Sequence, residues 1–548
     1  MFIIDQNTTP KEIFKLLLKN RHLNKESDIK EFLNPKIVNK LTAKDFSLNQ
    51  KQIDKAVKRI NLAIKNQENI LIYGDYDVDG ITSTAILWNN LNQQGAKILP
   101  FVPDRHRDGY GFKADSFFDF EKKNNLNFDL LITVDNGILA HKEFKKVLKK
   151  NKNIDIIVVD HHLAAEKLPK EIITLHSTIS SGAGLAWFLA REINKNKTDL
   201  SLATLGVVAD CLPLQGVNRN LVYHGLKTFN SSSNPGLKKL IDISSLKKDS
   251  ISSTDLAFIL APRINAAGRL SDPTDALRLL CSNTSQQASK FAKILDDHNR
   301  QRQNLQQKSI NLAKKKIDSN FTDKVFFIAD KTFHPGIIGL IAGRLTEEYN
   351  LPSIIISIDD GIAKGSCRSI EGLNIVDALK EISHLFLDLG GHPAAAGFTL
   401  ETKNIPSFQK KITKIINKKL ANKDLKKKTF VEAQMKLSAV TVKNCQLVDK
   451  LEPFGIANPE PIFLFKNVKI ISKKLLGSKQ DHLKLKVIDS DSSYNSPPVD
   501  LLAFRQGHLD KKLNSGDLIT FTARLNLNVW NGYTTPQLFL KEFLFEDK

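Results

Sequence analysis

Between residues 69 and 160, short runs that are apolar throughout alternate with longer, Lys-rich segments of helical spacing. Asn69–Tyr73 leads into a Gly/Asp loop, and helical spacing follows over 81–91. Further apolar runs of strand length cover 97–102, 128–134 and 154–159. A strand that is apolar at every position is buried on both faces, and helices between such strands supply the cover, so the pattern predicts a parallel α/β sheet. Residues 1–45 read as a short, mostly helical preface with solvated Lys and Glu. From 274 to 318 one helical pattern runs without Pro or internal Gly, and its polar stretch 296–303 suits a solvent-bridging connector. A second α/β unit follows, with strands at 325–329 and 353–358, a basic turn at 364–369 and a Gly-rich segment at 390–398. After about residue 425 the runs become short and alternating, as at 483–487, 518–525 and 537–540, which predicts a small β-barrel. The expected organisation is a preface (1–45), a parallel-sheet domain (46–273), a connecting helix (274–320), a smaller α/β domain (321–425) and a barrel (426–548).

Composition narrows this picture only slightly. The chain has 548 residues, 41% hydrophobic and 25% charged, which is ordinary for a globular protein. No run approaches the roughly 18 apolar residues of a membrane helix, and Asp5 and Glu12 interrupt any early signal-like stretch. Cys211, Cys281, Cys367 and Cys445 lie far apart and fit neither a disulfide framework nor a zinc site, so a reducing, cytoplasmic compartment is expected. Lys and Arg number 80 against 59 Asp and Glu, a net charge of +21. A polyanionic partner accounts for that excess through counterion release. A compositional bias toward Lys, Asn and Ile is the weaker competing reading, and charge alone does not decide between them.

The positions of the acids say more. Asp75, Asp77 and Asp79 follow the first predicted strand, Asp135 follows the third, and Asp160-His161-His162 follows the fourth. Ligands of open α/β sheets bind beyond the carboxyl ends of the strands, so these groups converge on one crevice. Three carboxylates at alternate positions in a partly desolvated cleft repel one another by several kcal/mol, about the scale of a close charge pair at an intermediate dielectric. A divalent cation removes that repulsion; an acidic surface turn or a calcium loop is the competing reading. A calcium loop calls for more oxygen ligands nearby and no histidine. The histidine pair shifts the balance to a mixed carboxylate and imidazole site, which suits Mn²⁺ or Mg²⁺ better than zinc. Five or six carboxylates suffice for two ions, the arrangement that serves phosphoryl displacement.

Gly74-Asp75-Tyr76-Asp77-Val78-Asp79-Gly80, Thr133-Val134-Asp135-Asn136-Gly137, Asp160-His161-His162 and Ala209-Asp210, in that order, resemble the four motifs of the DHH phosphoesterase superfamily. Pro262-Arg263-Ile264-Asn265-Ala266-Ala267-Gly268-Arg269, His334-Pro335-Gly336 and Gly391-His392-Pro393-Ala394 narrow the resemblance to its bacterial single-stranded-DNA-specific exonucleases, with their DHHA1 domain. Glu452-Pro453-Phe454-Gly455 resembles the entry of their OB-fold. Ala261 and Cys211 depart from the usual pattern, where Gly and an aliphatic residue are common.

The resemblance implies that Asp77, Asp79, Asp135, His161 and Asp210 hold two Mn²⁺ or Mg²⁺ ions, with Asp75 as a further ligand or supporting acid. It implies catalytic roles for His161 and Asp79, and sets His162 against the scissile phosphate. Arg105, in the segment Pro103-Asp104-Arg105-His106-Arg107, together with Ser366 and Arg368, matches residues that bind a terminal 5′-phosphate. Arg263, Arg269 and His392 are expected backbone contacts. Phe504, Trp530 and Tyr533 are candidate stacking residues of the barrel, with a core position the better reading for Phe504. The activity so implied is 5′-to-3′ exonuclease digestion of single-stranded DNA to nucleoside monophosphates in recombination and repair. The alternative is a phosphodiesterase acting on short oligonucleotides or cyclic dinucleotides. A monomer without membrane attachment, partnered by a helicase and a single-strand-binding protein, completes the expectation.

Overall fold

In the computed structural model of the chain, the apolar runs of the first half pair as five parallel strands in the order Lys97–Phe101, Asn69–Tyr73, Leu130–Val134, Asp155–Asp160 and Ile173–His176. The residues described are 2–544, except 106, 165–167, 195–197, 247–250, 318–320 and 491–496. Alternate residues of the strands enter two cores. Ile70, Ile72, Ile132 and Val159 pack with Val78, Ile81 and Ala186 on one face. Leu71, Tyr73, Leu131 and Val158 pack with Phe112, Phe117 and Phe144 on the other. Two covered faces are the reason these runs carry no polar alternation. The fifth strand, only four residues long and partly exposed, has no such run and escapes a sequence reading. All five strands point the same way, so the loops after residues 73, 134 and 160 open at one edge.

The connector differs from expectation. It is two helices, Thr274–Leu280 and Ser285–Lys315, because Thr284 caps the second, accepting a hydrogen bond from the N–H of Gln287 at 3.3 Å. Nor is its polar stretch only solvated: Asp296 and Asn299 are buried where the long helix packs on Ala261–Leu270. The helix then leads to a second five-stranded sheet in the order Asp388–His392, Ala395–Glu401, Ile362–Arg368, Ser353–Asp359, Phe326–Asp330. The stretch expected as a basic turn at 364–369 is thus mostly a central strand. Its Ala363, Gly365 and Cys367 are buried, whereas Lys364, Ser366 and Arg368 face the other way, and that polar face made it read as a turn. The small residues 395–397 likewise lie in a strand of this sheet and pair on both sides.

The third sheet has seven strands, and Phe463–Leu476 pairs with both His482–Asp489 and Leu518–Trp530 to close it into a barrel. The N-terminal residues do not form a solvated preface. Ile3–Ile4 pairs in parallel with Ala433–Met435, and the helix Pro10–Asn20 buries Ile13, Leu17 and Leu18 in the barrel core. Glu432 receives Arg21 at 2.9 Å to fix the same contact. Barrel and parallel-sheet domain are joined through Arg219 on the helix Gly216–Thr228. Its guanidinium donates to the carbonyls of Phe32, Leu451, Glu452 and Pro453 at 2.8–3.3 Å and lies 3.7 Å above the Phe32 ring. Among the described residues no helix is long and apolar enough to cross a membrane.

Candidate metal centre and phosphate pocket

The acid loop is held by helix termini. Asp77 caps the helix Val78–Asn92, its Oδ1 accepting the N–H groups of Asp79 and Gly80 at 2.9 and 3.1 Å. Gly80 admits no side chain, since a Cβ there would lie 2.5 Å from the backbone of Asp75. Asp79 accepts the N–H groups of Gly182 and Ala183, at 2.6 and 2.9 Å, at the start of the helix Gly182–Ile193. Helix N-termini favour negative charge, so the fold steadies the carboxylates it crowds together. Asp135 has a φ of 58°, a left-handed conformation that a non-glycine residue adopts at a cost.

These residues meet. His161 Nε2 lies 3.0 Å from Asp135 Oδ1, without the alignment of a hydrogen bond, and 3.8 Å from Asp79 Oδ2. Its Nδ1 lies 3.7 Å from Asp210 Oδ2. Asp75, Asp77 and Asp135 offer ligand atoms within 4.8 Å of one another, as do Asp79, His161 and Asp210. These two sets contain all six expected ligands, and a third, Asp135, His161 and His162, overlaps both. Asp135 Oδ1, Asp75 Oδ1 and Asp210 Oδ2 are buried without hydrogen-bond partners, where polar atoms are normally satisfied. Burial, and then the neighbouring carboxylates, push Asp75, Asp77 and Asp135 above the usual carboxylate range and Asp210 up to about 8. Oxygen-rich donors with one imidazole and unmet lone pairs fit Mn²⁺ or Mg²⁺.

His162 stands beside this cluster. Its Nδ1 lies 2.8 Å from Asp160 Oδ1 and its Nε2 2.7 Å from the Tyr110 hydroxyl. Asp160 also accepts the backbone N–H groups of His161 at 2.7 Å and Ile138 at 2.8 Å. Burial opposes charge on both groups, but the mutual hydrogen bond prevails, lowering the pKa of Asp160 and raising that of His162.

A cationic pocket adjoins the acids. Ser366 and Arg368 project from the strand Ile362–Arg368, and Arg368 Nη1 donates to Ser366 Oγ at 3.3 Å. They face the first turn of the helix Ile338–Tyr349, where a Cβ on Gly339 would stand 3.2 Å from Ser366 Oγ and 3.3 Å from Arg368 Nη2. The guanidinium of Arg105 is 5.5 Å from the centre of the Tyr76 ring, and Arg269 donates to the Gly336 carbonyl at 3.3 Å. Burial, followed by the charges of Arg105, Arg302 and Arg368, brings Arg269 down to about 10. Among the described residues no carboxylate forms an ion pair with Arg269 or Arg368. Converging cations beside a helix N-terminus make a site for a phosphate group.

Two expected residues, Arg263 and Phe504, are placed otherwise. Arg263 is turned to Asp296 at 2.9 Å and the Ile259 carbonyl at 2.7 Å, and ties the long helix down instead of opening toward the cleft. His392 is exposed on the same sheet rung as Arg368, with Ala395 between them. Phe504, expected in the barrel core, is 52% exposed, edge-on to His482 and Phe539. Trp530 and Tyr533 are exposed and pair across the tip of the last hairpin. His106 lies outside the described residues. Tyr110, Arg302 and the amides of Gly182 and Ala183 belong to the site and were not singled out from sequence. Only the Ser-Ser-Gly-Ala-Gly run at 180–184, a helix-cap signal, hinted at the last pair.

A parallel sheet that gathers these acids and histidines at one edge, joined to a second α/β unit, defines a DHH-type phosphoesterase. The DHH family N-terminal domain matches residues 69–210, the DHHA1 domain residues 322–418 and the RecJ OB domain residues 431–542. The chain belongs to the RecJ family: it is 30% identical to the single-stranded-DNA-specific exonuclease RecJ of Haemophilus influenzae, over 79% of this chain and 80% of that protein. It is 32% identical to the RecJ of Bacillus subtilis over 90% of this chain, but spans only 63% of that longer relative. The crystal structure of Thermus thermophilus RecJ in complex with Mn²⁺ aligns with 98% of this chain and 76% of its own, at a TM-score of 0.80 and 27% identity. A manganese-bound exonuclease RecJ aligns with 69% of this chain and 98% of its own, at a TM-score of 0.60 and 31% identity.

Proposed function

We propose that the chain is a 5′-to-3′ exonuclease that hydrolyses single-stranded DNA to nucleoside monophosphates in recombination and repair. The observation that carries this reading is the adjacency of two sites of opposite charge: Arg105, Arg269, Arg368 and Ser366 next to the six candidate metal ligands. A terminal 5′-phosphate held in the first site leaves the following phosphodiester over the second. Asp75, Asp77, Asp79, Asp135, His161 and Asp210 would hold two Mn²⁺ or Mg²⁺ ions. Such ions supply an activated water and offset the charge that builds on the phosphate. Asp79 and His161 fix the cluster against the helix terminus, and Asp160 orients His162 so that Nε2 meets the leaving oxygen with a proton. The barrel gives a long strand somewhere to bind, which a phosphodiesterase for cyclic dinucleotides or short oligonucleotides does not need. A helicase to unwind duplex and a single-strand-binding protein are the partners this chemistry calls for, and the enzyme works as a cytoplasmic monomer.

Digestion of strands labelled at either end tests the reading. With Mn²⁺ or Mg²⁺ the 5′ label should leave at once as mononucleotide while the 3′-labelled strand shortens gradually, and chelator should stop both. Release of the 3′ label first, or faster hydrolysis of a cyclic dinucleotide, would refute it.

A further inference from the structure

The segment between the strand Lys97–Phe101 and the helix Ala114–Asn124 carries one residue of each site: Arg105 belongs to the phosphate pocket, and Tyr110 touches His162. The first half of the segment is closed into a turn. Asp108 N–H donates to the Asp104 carbonyl at 2.7 Å, and Asp104 N–H donates to the Asp108 carboxylate at 2.7 Å. Ser116 Oγ, on the helix, donates to the same carboxylate at 3.2 Å. The turn that bears Arg105 is thereby anchored.

Tyr110 is held far less firmly. Gly109 and Gly111, on either side of it, have φ values of 80° and 74°. A Cβ on Gly111 would meet nothing within 4 Å, and one on Gly109 only the end of Lys113 at 3.9 Å. Space does not call for glycine here; the left-handed backbone does, and glycine leaves the chain free to turn at both positions. The side chain between them is 51% exposed. Among the described residues its hydroxyl has one partner, His162 Nε2 at 2.7 Å.

The ring of Tyr76 relates the two. The Arg105 guanidinium lies 5.5 Å from its centre, and Tyr110 meets it edge-on at 6.4 Å, as it meets His162 at 5.9 Å. Tyr110 therefore bridges from the border of the pocket to Nε2. A nucleotide with its 5′-phosphate in the pocket and its 3′-oxygen at Nε2 spans the same interval, and Tyr110 has to leave for it to do so. The 5′-phosphate makes the strongest contacts remote from the reacting bond, charge-assisted and fork-shaped. Remote contacts of this kind drive rearrangement at the reacting centre and then show in kcat. A 5′-hydroxyl end brings none of them, so more of its complexes keep Tyr110 on Nε2.

We propose that Tyr110 is a positioning residue that makes His162 answer to the 5′-phosphate: it occupies Nε2 until a phosphorylated end displaces it, so the phosphate raises kcat as well as lowering KM. This inference rests on the exonuclease reading. In the full-length protein, saturating single-turnover rates on matched strands with 5′-phosphate and 5′-hydroxyl ends should differ by about two- to ten-fold in wild type, the worth of one hydrogen bond. Tyr110→Phe should raise the rate on hydroxyl ends until the two agree, while the KM advantage of the phosphate persists. Arg105→Ala should lower kcat on phosphorylated strands toward the hydroxyl value. Adding Tyr110→Phe to it should restore kcat without restoring KM, a rescue that a tyrosine serving only the fold could not give. Equal kcat on both ends in wild type, a kcat ratio that Tyr110→Phe leaves intact, or additive kcat losses in the double variant would overturn the proposal. Wild type that digests neither kind of single strand would refute the exonuclease reading itself.

Discussion

The Tyr110 hydroxyl lies 2.7 Å from Nε2 of His162, the ring nitrogen that faces away from Asp160. In the proposed mechanism that nitrogen meets the leaving oxygen, so Tyr110 would occupy its place and yield when substrate arrives. His162→Gln should cost roughly 10²–10⁴ in kcat, the usual worth of a positioned acid. Tyr110→Phe removes only the placeholder and should change kcat by less than about tenfold. Single-turnover rates separate the two, and comparable losses would show that Tyr110 itself takes part.

Metal dependence should extend to stability, with a definite sign in pH. The carboxyl of Asp210 sits at about 8, against about 3.9 for an unperturbed Asp. A group raised on folding stabilises fully below its unfolded pKa, and that contribution disappears as pH rises toward 8. Ions require the ionised carboxylates, so their binding strengthens over the same window. The rise in Tm on adding Mn²⁺ should therefore be larger at pH 8 than at pH 6, with about 2.7 kcal/mol gained at a concentration 100 times Kd. Equal Tm values in Mn²⁺ and in chelator at pH 8 would exclude the site.

Arg368 and Arg263 should part company. Losing a charge-assisted hydrogen bond costs about 1.5–3 kcal/mol, so Arg368→Ala should raise KM for 5′-phosphorylated ends by roughly ten- to a hundred-fold and erase their advantage over hydroxyl ends. Arg263→Ala removes one of the two arginines that pair with the buried Asp296, leaving Arg300 at 2.8 Å. It should lower Tm while the preference for phosphorylated ends persists. Competition between the two kinds of end reads out both variants.

Removing the barrel should not be a clean excision. Truncation near residue 425 uncovers Ile4, Ile13, Leu17 and Phe32, which pack in the barrel core. The truncated chain should aggregate, and deleting residues 1–34 as well should restore a monodisperse catalytic unit with weaker, less salt-sensitive binding of long strands. Light scattering of the two truncations decides this; a soluble single truncation would count against it.

Much of the site was legible because its signals are local. A strand buried on both faces writes an uninterrupted apolar run, and the acids follow directly at its carboxyl end, as at Tyr73 and Val134. Contacts made by backbone write little: the amides that hold Asp79 are contributed by residues 182 and 183, and the need for glycine at 182, where a Cβ would lie 2.6 Å from Asp135, shows only in the folded chain. The strand Ile362–Arg368 was misread for the opposite reason, since one of its faces carries Lys, Ser and Arg where a packed strand would show Val or Ile. Phe504 ran against the expectation that a barrel phenylalanine is core.

The pairing of Ile3–Ile4 with Ala433–Met435 sets a timetable for the newborn chain. Ile3 and Ile4 can find their place only when Ala433–Met435 have been made. At ordinary rates of synthesis, about 5–20 residues per second, the wait is on the order of tens of seconds. Throughout it the catalytic sheet can close while an apolar leading segment is still uncovered, open to a chaperone or to a neighbouring chain on the same message.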